Sequence, residues 1–319
     1  MKNKLCHLLY VPFVGLGNYG GWRGERWFRN RIKIFRQFVV PSLLNQTNKN
    51  FILWISFLRE QKRHPLVKEL KDYLDKSFKS IFTYSGICFY DDKYPDEVAR
   101  DRLVTSLHNS MGELLDVIGE VDYVYMTIQP SDDCYYSQMI EEVQEILKQK
   151  QACGYGHGLI MNYLTGEVAD YNPLTNPPFY TIKFPRDIFT DPLKHLEFTA
   201  LKHDVGKYKK GTPLPSHEYL KDVFPDYEVI NKRGFLVGCH TDNISTFFNH
   251  PYKGEAVGKE ILKDFGLDKT ERLKLKFSFR KWLFGKLPFK VQRKLRWWAG
   301  EKRWILRPFF ALIYNLLRR

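Results

Sequence analysis

The chain has 319 residues, and no stretch of it reaches the roughly 18 uninterrupted apolar residues of a membrane-crossing helix. Cysteine is scarce: Cys6, Cys88, Cys134, Cys153 and Cys239 are scattered, odd in number and without paired metal spacing. That excludes a disulfide framework or a zinc site and points to a reducing compartment with buried thiols. No internal repeat is visible, which excludes a solenoid. The glycines after the first apolar run, Gly15, Gly17, Gly20 and Gly21, do not form a dinucleotide fingerprint and read as a flexible loop. Leu5–Leu16 is apolar but carries His7, Tyr10 and Pro12 and lacks a small-residue cleavage site, so it reads as a strand, not a secretion signal. Acid is nearly missing from one end. Residues 271–319 hold fifteen bases against Glu271 and Glu301, a local charge of +13 out of a formal +14. The body is therefore close to neutral, and general affinity for nucleic acid is not indicated.

What is present is a hydrophobic content of 44% and an aromatic content of 16%, enough for a substantial core. Strand-like runs at Leu5–Leu16, Phe51–Leu58, Ser80–Tyr90 and Asp122–Ile128 alternate with helical patterns at Trp27–Leu44, His64–Phe78 and Glu97–Gly119. Pro41 interrupts the first of these helices or opens a short one after it. Such alternation predicts an α/β fold with a doubly wound, mostly parallel sheet. Beyond residue 150 the character changes. A hairpin is expected around Leu164-Thr165-Gly166, then a Pro- and Asn-rich stretch over 172–178, then strands at Phe179–Phe184 and Phe235–His240.

The most informative segment is Tyr123 to Tyr136. A β-rich run ends in Ser131-Asp132-Asp133, and a helical pattern follows through Tyr135, Met139, Ile140, Val143 and Leu147. Two adjacent carboxylates at the mouth of a buried strand are costly unless a cation meets them. A divalent metal carrying a diphosphate is one such partner, and ligands of open α/β sheets sit outside the carboxyl ends of strands. The plainer alternative is a solvated turn in which Asp132 or Asp133 caps the next helix. Cys134 beside the pair reads as packing.

Several segments resemble one family in their order along the chain. Phe35 to Phe51, with Pro41-Ser42-Leu43 and Gln46-Thr47, resembles the link between the first two strands of family-2-like glycosyltransferases. Asp101-Arg102-Leu103, Tyr123 and Ser131-Asp132-Asp133 resemble the helix, strand and acidic motif of the same group. Gly234 to Ser245, with His240 and Asn243, and Ile261 to Leu267 resemble a late element of a rhamnosyl transferase family. The resemblance covers roughly residues 5–268 and implies a GT-A-like fold. It also implies metal-assisted, inverting transfer of a sugar from a nucleotide-sugar donor to a saccharide or lipid-linked acceptor. One position departs from the family pattern of Asp-x-Asp-Asp: Pro130 stands where the first carboxylate belongs.

The resemblance places Mn²⁺ or Mg²⁺ on Asp132, Asp133 and His240. Asp204, beside His203, is the favoured base; Asp242 and Glu197 compete with it. His240 faces the diphosphate. Asp133, Arg102 and Arg23 are assigned to the donor, and Arg26 is a further candidate. For His240 the plainer reading is a surface-turn histidine, for the others solvated surface residues. The missing carboxylate keeps a second function open, a non-catalytic membrane-associated module binding carbohydrate or nucleotide. A nucleotidyltransferase is a weaker third.

Residues 1–150 are expected to form the nucleotide-sugar half and 151–268 the acceptor half of one domain. Residues 269–319 are expected to form a basic, aromatic, amphipathic helical extension. Its Trp282, Trp297, Trp298, Trp304, Phe309 and Phe310 are interleaved with Lys and Arg, which suits an anionic membrane surface. Packing on the body and nucleic-acid binding use the same ingredients. The expectation is a cytoplasmic protein, peripheral at the inner face of a membrane and without a nucleic-acid partner.

Overall fold

The computed structural model of the chain describes residues 4–13, 24–84, 96–174, 177–199, 217, 220–240, 243, 248–274 and 290–291. Its core is a sheet whose first four strands are β1 (Leu5–Pro12), β2 (Ile52–Ser56), β3 (Ser80–Thr83) and β4 (Tyr123–Ile128). They lie side by side in the order β4-β1-β2-β3, all parallel. Alternate residues of β1 and β2 feed two separate cores. Leu9, Val11, Leu53 and Ile55 pack on one face, and Leu8, Tyr10, Ile52 and Trp54 on the other. Strands covered on both faces read as continuous apolar runs, which is how these two read in sequence.

The first face is covered by α1 (Gly24–Ile34), a π-helical turn (Phe35–Val39), α2 (Val40–Leu44) and α3 (Pro65–Leu74). The second is covered by α4 (Asp96–Ile118) and elements described below. The first helix gives way at Ile34 to the π-helical turn, in which Val40 N–H bonds to Phe35 O, five residues back. Pro41 stands in the first turn of α2, a position that tolerates proline.

After β4 come β5 (Cys134–Tyr135), α5 (Met139–Ile146), β6 (Ala152–Asn162), β7 (Val168–Tyr171) and β8 (Tyr180–Pro185). The helix expected immediately after the acidic turn thus begins only after a short strand. The β6–β7 hairpin turns at Gly166, whose φ of +76° is natural only for glycine. The chain continues through α6 (Arg186–Thr190), α7 (Pro192–Phe198), α8 (Leu220–Val223), β9 (Glu228–Cys239) and β10 (Lys253–Ala256). Here the sheet changes character. β8 is antiparallel to β4 and β6, β7 to β6, and β10 to β7, and only β9 runs parallel to β6. The parallel expectation thus describes the first half of the sheet.

Strands from both expected halves belong to one sheet. Apart from residues 269–274 and 290–291, the basic extension lies outside the described residues. No described helix is long and apolar enough to cross a membrane.

Candidate functional site

The carboxyl edge of the parallel strands carries the acidic turn, directly after β4. Three chain segments hold it. From the first, Ser42 Oγ donates to Tyr135 O (2.7 Å) and accepts from Tyr135 N–H (3.1 Å). Gln46 donates to Tyr136 O (2.7 Å) and accepts from Ile140 N–H (3.2 Å). The Pro-Ser-Leu and Gln-Thr residues quoted in the sequence are therefore a clamp on the chain that leaves the turn. From the second, Tyr163 O–H donates to Asp132 O (2.9 Å), and its ring stacks on Phe38 at 3.6 Å. From the third, β5 pairs with β9 at Cys134 and Leu236, and Gly238 N–H donates to Asp133 Oδ1 (2.9 Å). A Cβ on Gly238 would overlap Asp132 O and the Tyr163 ring; only glycine lets the strand approach this closely.

The two carboxylates cap no helix, because α5 starts at Met139 with Gln138 as its cap. They meet side chains instead. Asp132 forms an ion pair with Arg31 Nη1 through Oδ2. The same oxygen lies 3.2 Å from His240 Nε2 and 3.4 Å from Asn243 Nδ2. His240 follows β9 and is buried, not a surface-turn residue. Its backbone N–H donates to Asn243 Oδ1, and Asn243 Nδ2 donates to Gly238 O at 2.7 Å, which fixes the turn.

Identical neighbours in sequence thus have opposite electrostatics. Burial pushes Asp132 upward, but the Arg31 charge and the His240 contact outweigh it and hold the carboxyl at about 2. Burial and the Asp132 charge together push Asp133 well above the ordinary carboxylate range, against the opposing Gly238 N–H. Cys134 is buried, its thiol pushed up by burial, and it packs between Phe38 O and Tyr163.

Arg31 was not among the sequence candidates. It lies one helical turn after Trp27, with its guanidinium 4.8 Å from the Trp27 ring. The residue is 3% exposed, and its Nε has no hydrogen-bond partner among the described residues. The other orphan near the turn is Gln129 Oε1, whose amide nitrogen donates to Pro130 O and Asp133 O. It is a neutral acceptor suited to a water or hydroxyl.

These residues fit a divalent ion poorly in this arrangement. Mg²⁺ and its like need several oxygen ligands in strict geometry. Asp132 Oδ2 is surrounded by three donors, and Asp133 Oδ1 is taken by the Gly238 N–H. Among the described residues no group of three or more His, Cys, Asp or Glu is placed to hold a metal. The charged orphan group in the site is a donor, which calls for an acceptor.

The structure brings together Asp132, Asp133 and His240 of the sequence candidates. Asp204, Asp242, His203 and Arg23 lie outside the described residues. Arg102 and Arg26 stand on α4 and α1, with side chains outside the description. Glu197 is on α7, which packs against α4 and α6.

No family model matches the chain. No curated protein matches it. Similar solved structures include residues 1–349 of S. aureus TarS, at 10% identity and a TM-score of 0.38, covering 74% of this chain and 61% of that one. The same TarS piece in complex with UDP has 9% identity and a TM-score of 0.35, covering 92% and 78%. A protein described as a nucleotide-diphospho-sugar transferase from Desulfovibrio desulfuricans G20 has 13% identity and a TM-score of 0.33, covering 72% and 80%. The chain thus spans less than two thirds of the first TarS structure. At these scores the likeness carries no argument about activity.

Proposed function

We propose that the chain is a glycosyltransferase that moves a sugar from a nucleotide-sugar donor to a saccharide or lipid-linked acceptor. One observation supports this most. At the carboxyl edge of a parallel sheet, where such folds bind nucleotides, an acidic turn meets a buried arginine, a buried histidine and an asparagine from distant segments. The ordered resemblance to family-2-like glycosyltransferases of the GT-A fold supports the same reading.

Glycosyl transfer needs the charge of the departing nucleoside diphosphate neutralised and the anomeric carbon aligned with an acceptor hydroxyl. Inversion also needs a base. In this reading Asp132 orients His240 and Arg31, and His240 faces the leaving diphosphate. Asp204 is the favoured base, with Asp242 its competitor. Arg102 and Arg23 face the donor. The metal expected from the resemblance, Mn²⁺ or Mg²⁺, is part of the test.

The test is hydrolysis and transfer with a panel of nucleotide-sugars, with and without Mn²⁺. We expect turnover of one donor class, reduced at least about tenfold by His240→Ala. If the wild-type chain neither binds nor turns over any donor, the reading fails. Binding without turnover across many acceptors favours instead the non-catalytic module, which Pro130 at the first acidic position keeps in play.

The extension at 271–319 completes the proposal as an anionic-membrane contact that holds the enzyme at the cytoplasmic face. Each Lys or Arg near such a surface contributes about 1 kcal/mol. Residues 271–274 pack on the body, with Leu273 buried and its N–H donating to Tyr163 O, so the deletion that tests this is 275–319: it should abolish binding to anionic vesicles while donor hydrolysis persists. Equal binding to neutral vesicles would remove the electrostatic part.

A further inference from the structure

We propose that Arg31, in place of a divalent cation, supplies the positive charge that this site sets against its anionic ligand, the diphosphate of a nucleoside diphosphate. The inference rests on the transferase reading and deepens it.

Three observations carry it. First, Arg31 occupies the position on Asp132 where a cation is expected. It pairs with Asp132 Oδ2, and His240 Nε2 and Asn243 Nδ2 crowd the same oxygen. A metal reaching that oxygen must displace them. Second, the guanidinium is held for ligand binding more tightly than an ion pair alone requires. It lies against the Trp27 ring at 4.8 Å and is buried to 3% exposure. Burial of a charge is tolerated where it is paired, and the pairing here is incomplete. Third, Nε is a buried donor with no partner among the described residues. An unmet buried N–H is costly, and a planar donor fork matches phosphate oxygens better than any other side chain.

The contacts agree: Asp132 is already matched by Arg31, and Asp133 Oδ1 accepts from the Gly238 N–H. Incoming diphosphate oxygens can take over the guanidinium, leaving Asp132 with His240 and Asn243. Asp132 remains 15% exposed at its side chain, so the pair is reached from its edge.

The experiment is calorimetric titration of the full chain with UDP, GDP, dTDP and inorganic pyrophosphate, each in EDTA and in Mn²⁺. The nucleotide that binds should do so equally in both buffers, within about twofold. Arg31→Lys keeps the charge on Asp132 but loses the fork, and should weaken binding about tenfold while the melting temperature stays near wild type. Asp132→Asn releases the guanidinium and should strengthen binding, whereas loss of a metal ligand would weaken it. Binding that falls tenfold or more in EDTA overturns the inference alone, as does weakened binding in Asp132→Asn or wild-type affinity in Arg31→Lys. If Arg31→Lys does not fold, the EDTA comparison and Asp132→Asn decide. Failure of every nucleotide to bind in either buffer overturns the transferase reading, and this inference with it.

Discussion

Strands β1 to β4 are parallel, buried on both faces and built from continuous apolar runs. Strands β6 to β10 are mostly antiparallel, with a hairpin between β6 and β7 and helices α6 to α8 between β8 and β9. The first region supplies the acidic turn and Arg31. The second supplies Gly238 N–H, His240, Asn243 and the Tyr163 hydroxyl. Neither region makes a site by itself. The contrast teaches that the parallel half places the carboxylates and supplies the arginine, and the antiparallel half completes the contacts that set them apart.

The joint between the regions should break most severely at Gly238. A methyl group there meets the Asp132 carbonyl and the Tyr163 ring, and neither can retreat without moving the turn. Gly238→Ala should cost about 3 kcal/mol, the upper end of overpacking. Thermal denaturation would show it, and an unchanged melting temperature would mean that β9 is not pressed against the turn.

The clamp from the first region is next. Gln46→Ala leaves Tyr136 O and Ile140 N–H without their side-chain partner in a buried setting. The expected loss is roughly 2 kcal/mol, with the melting temperature lowered and His240 still present. A tie of similar kind from the second region, Tyr163 O–H to Asp132 O, is a single neutral hydrogen bond. Tyr163→Phe should cost about 1 kcal/mol. If Tyr163→Phe proves worse than Gln46→Ala, the second region and not the first dominates the positioning of the turn.

Legibility followed the same division. The continuous apolar runs of β1, β2 and β4 could be read because both their faces are buried, and the helices between them because each buries a periodic face. Pro41 was legible as the break before a short helix, whose first turn it occupies, while the π-helical turn ahead of it has no local signature. Asp132 and His240 were legible as a strand-end carboxylate and a strand-end histidine. Arg31 was not: Arg23 and Arg26 beside the glycine loop drew attention instead. A signal did exist, since Arg31 falls among Trp27, Phe28, Ile32 and Phe35, a charge set within a buried helical face. Ser42 and Gln46 were quoted as motif residues, but their partners lie about ninety positions away, a distance local pattern does not span.

The smallest effect, and the one that sharpens the contrast between the two carboxylates, is a gain. Burial first, and then the Asp132 charge, raise the Asp133 carboxyl well above its ordinary range in the folded chain. The folded state therefore holds a proton that the unfolded state releases once pH passes about 4. Stability contributed by that proton is present below the unfolded value and is lost as pH rises toward the folded one. Asp132 works the other way: its folded value of about 2 lies below the ordinary 3.8, so its contribution is present above pH 4 and is lost as pH falls from there toward 2. Asp133→Asn keeps an oxygen for Gly238 N–H and removes the ionisable group. Its melting temperature should exceed wild type at pH 8, and the gain should vanish as pH falls below about 3, where both states of wild type hold the proton. Asp132→Asn should do the reverse, melting lower than wild type at pH 8. Equal responses of the two variants across that range would mean that the two halves together do not distinguish the carboxylates.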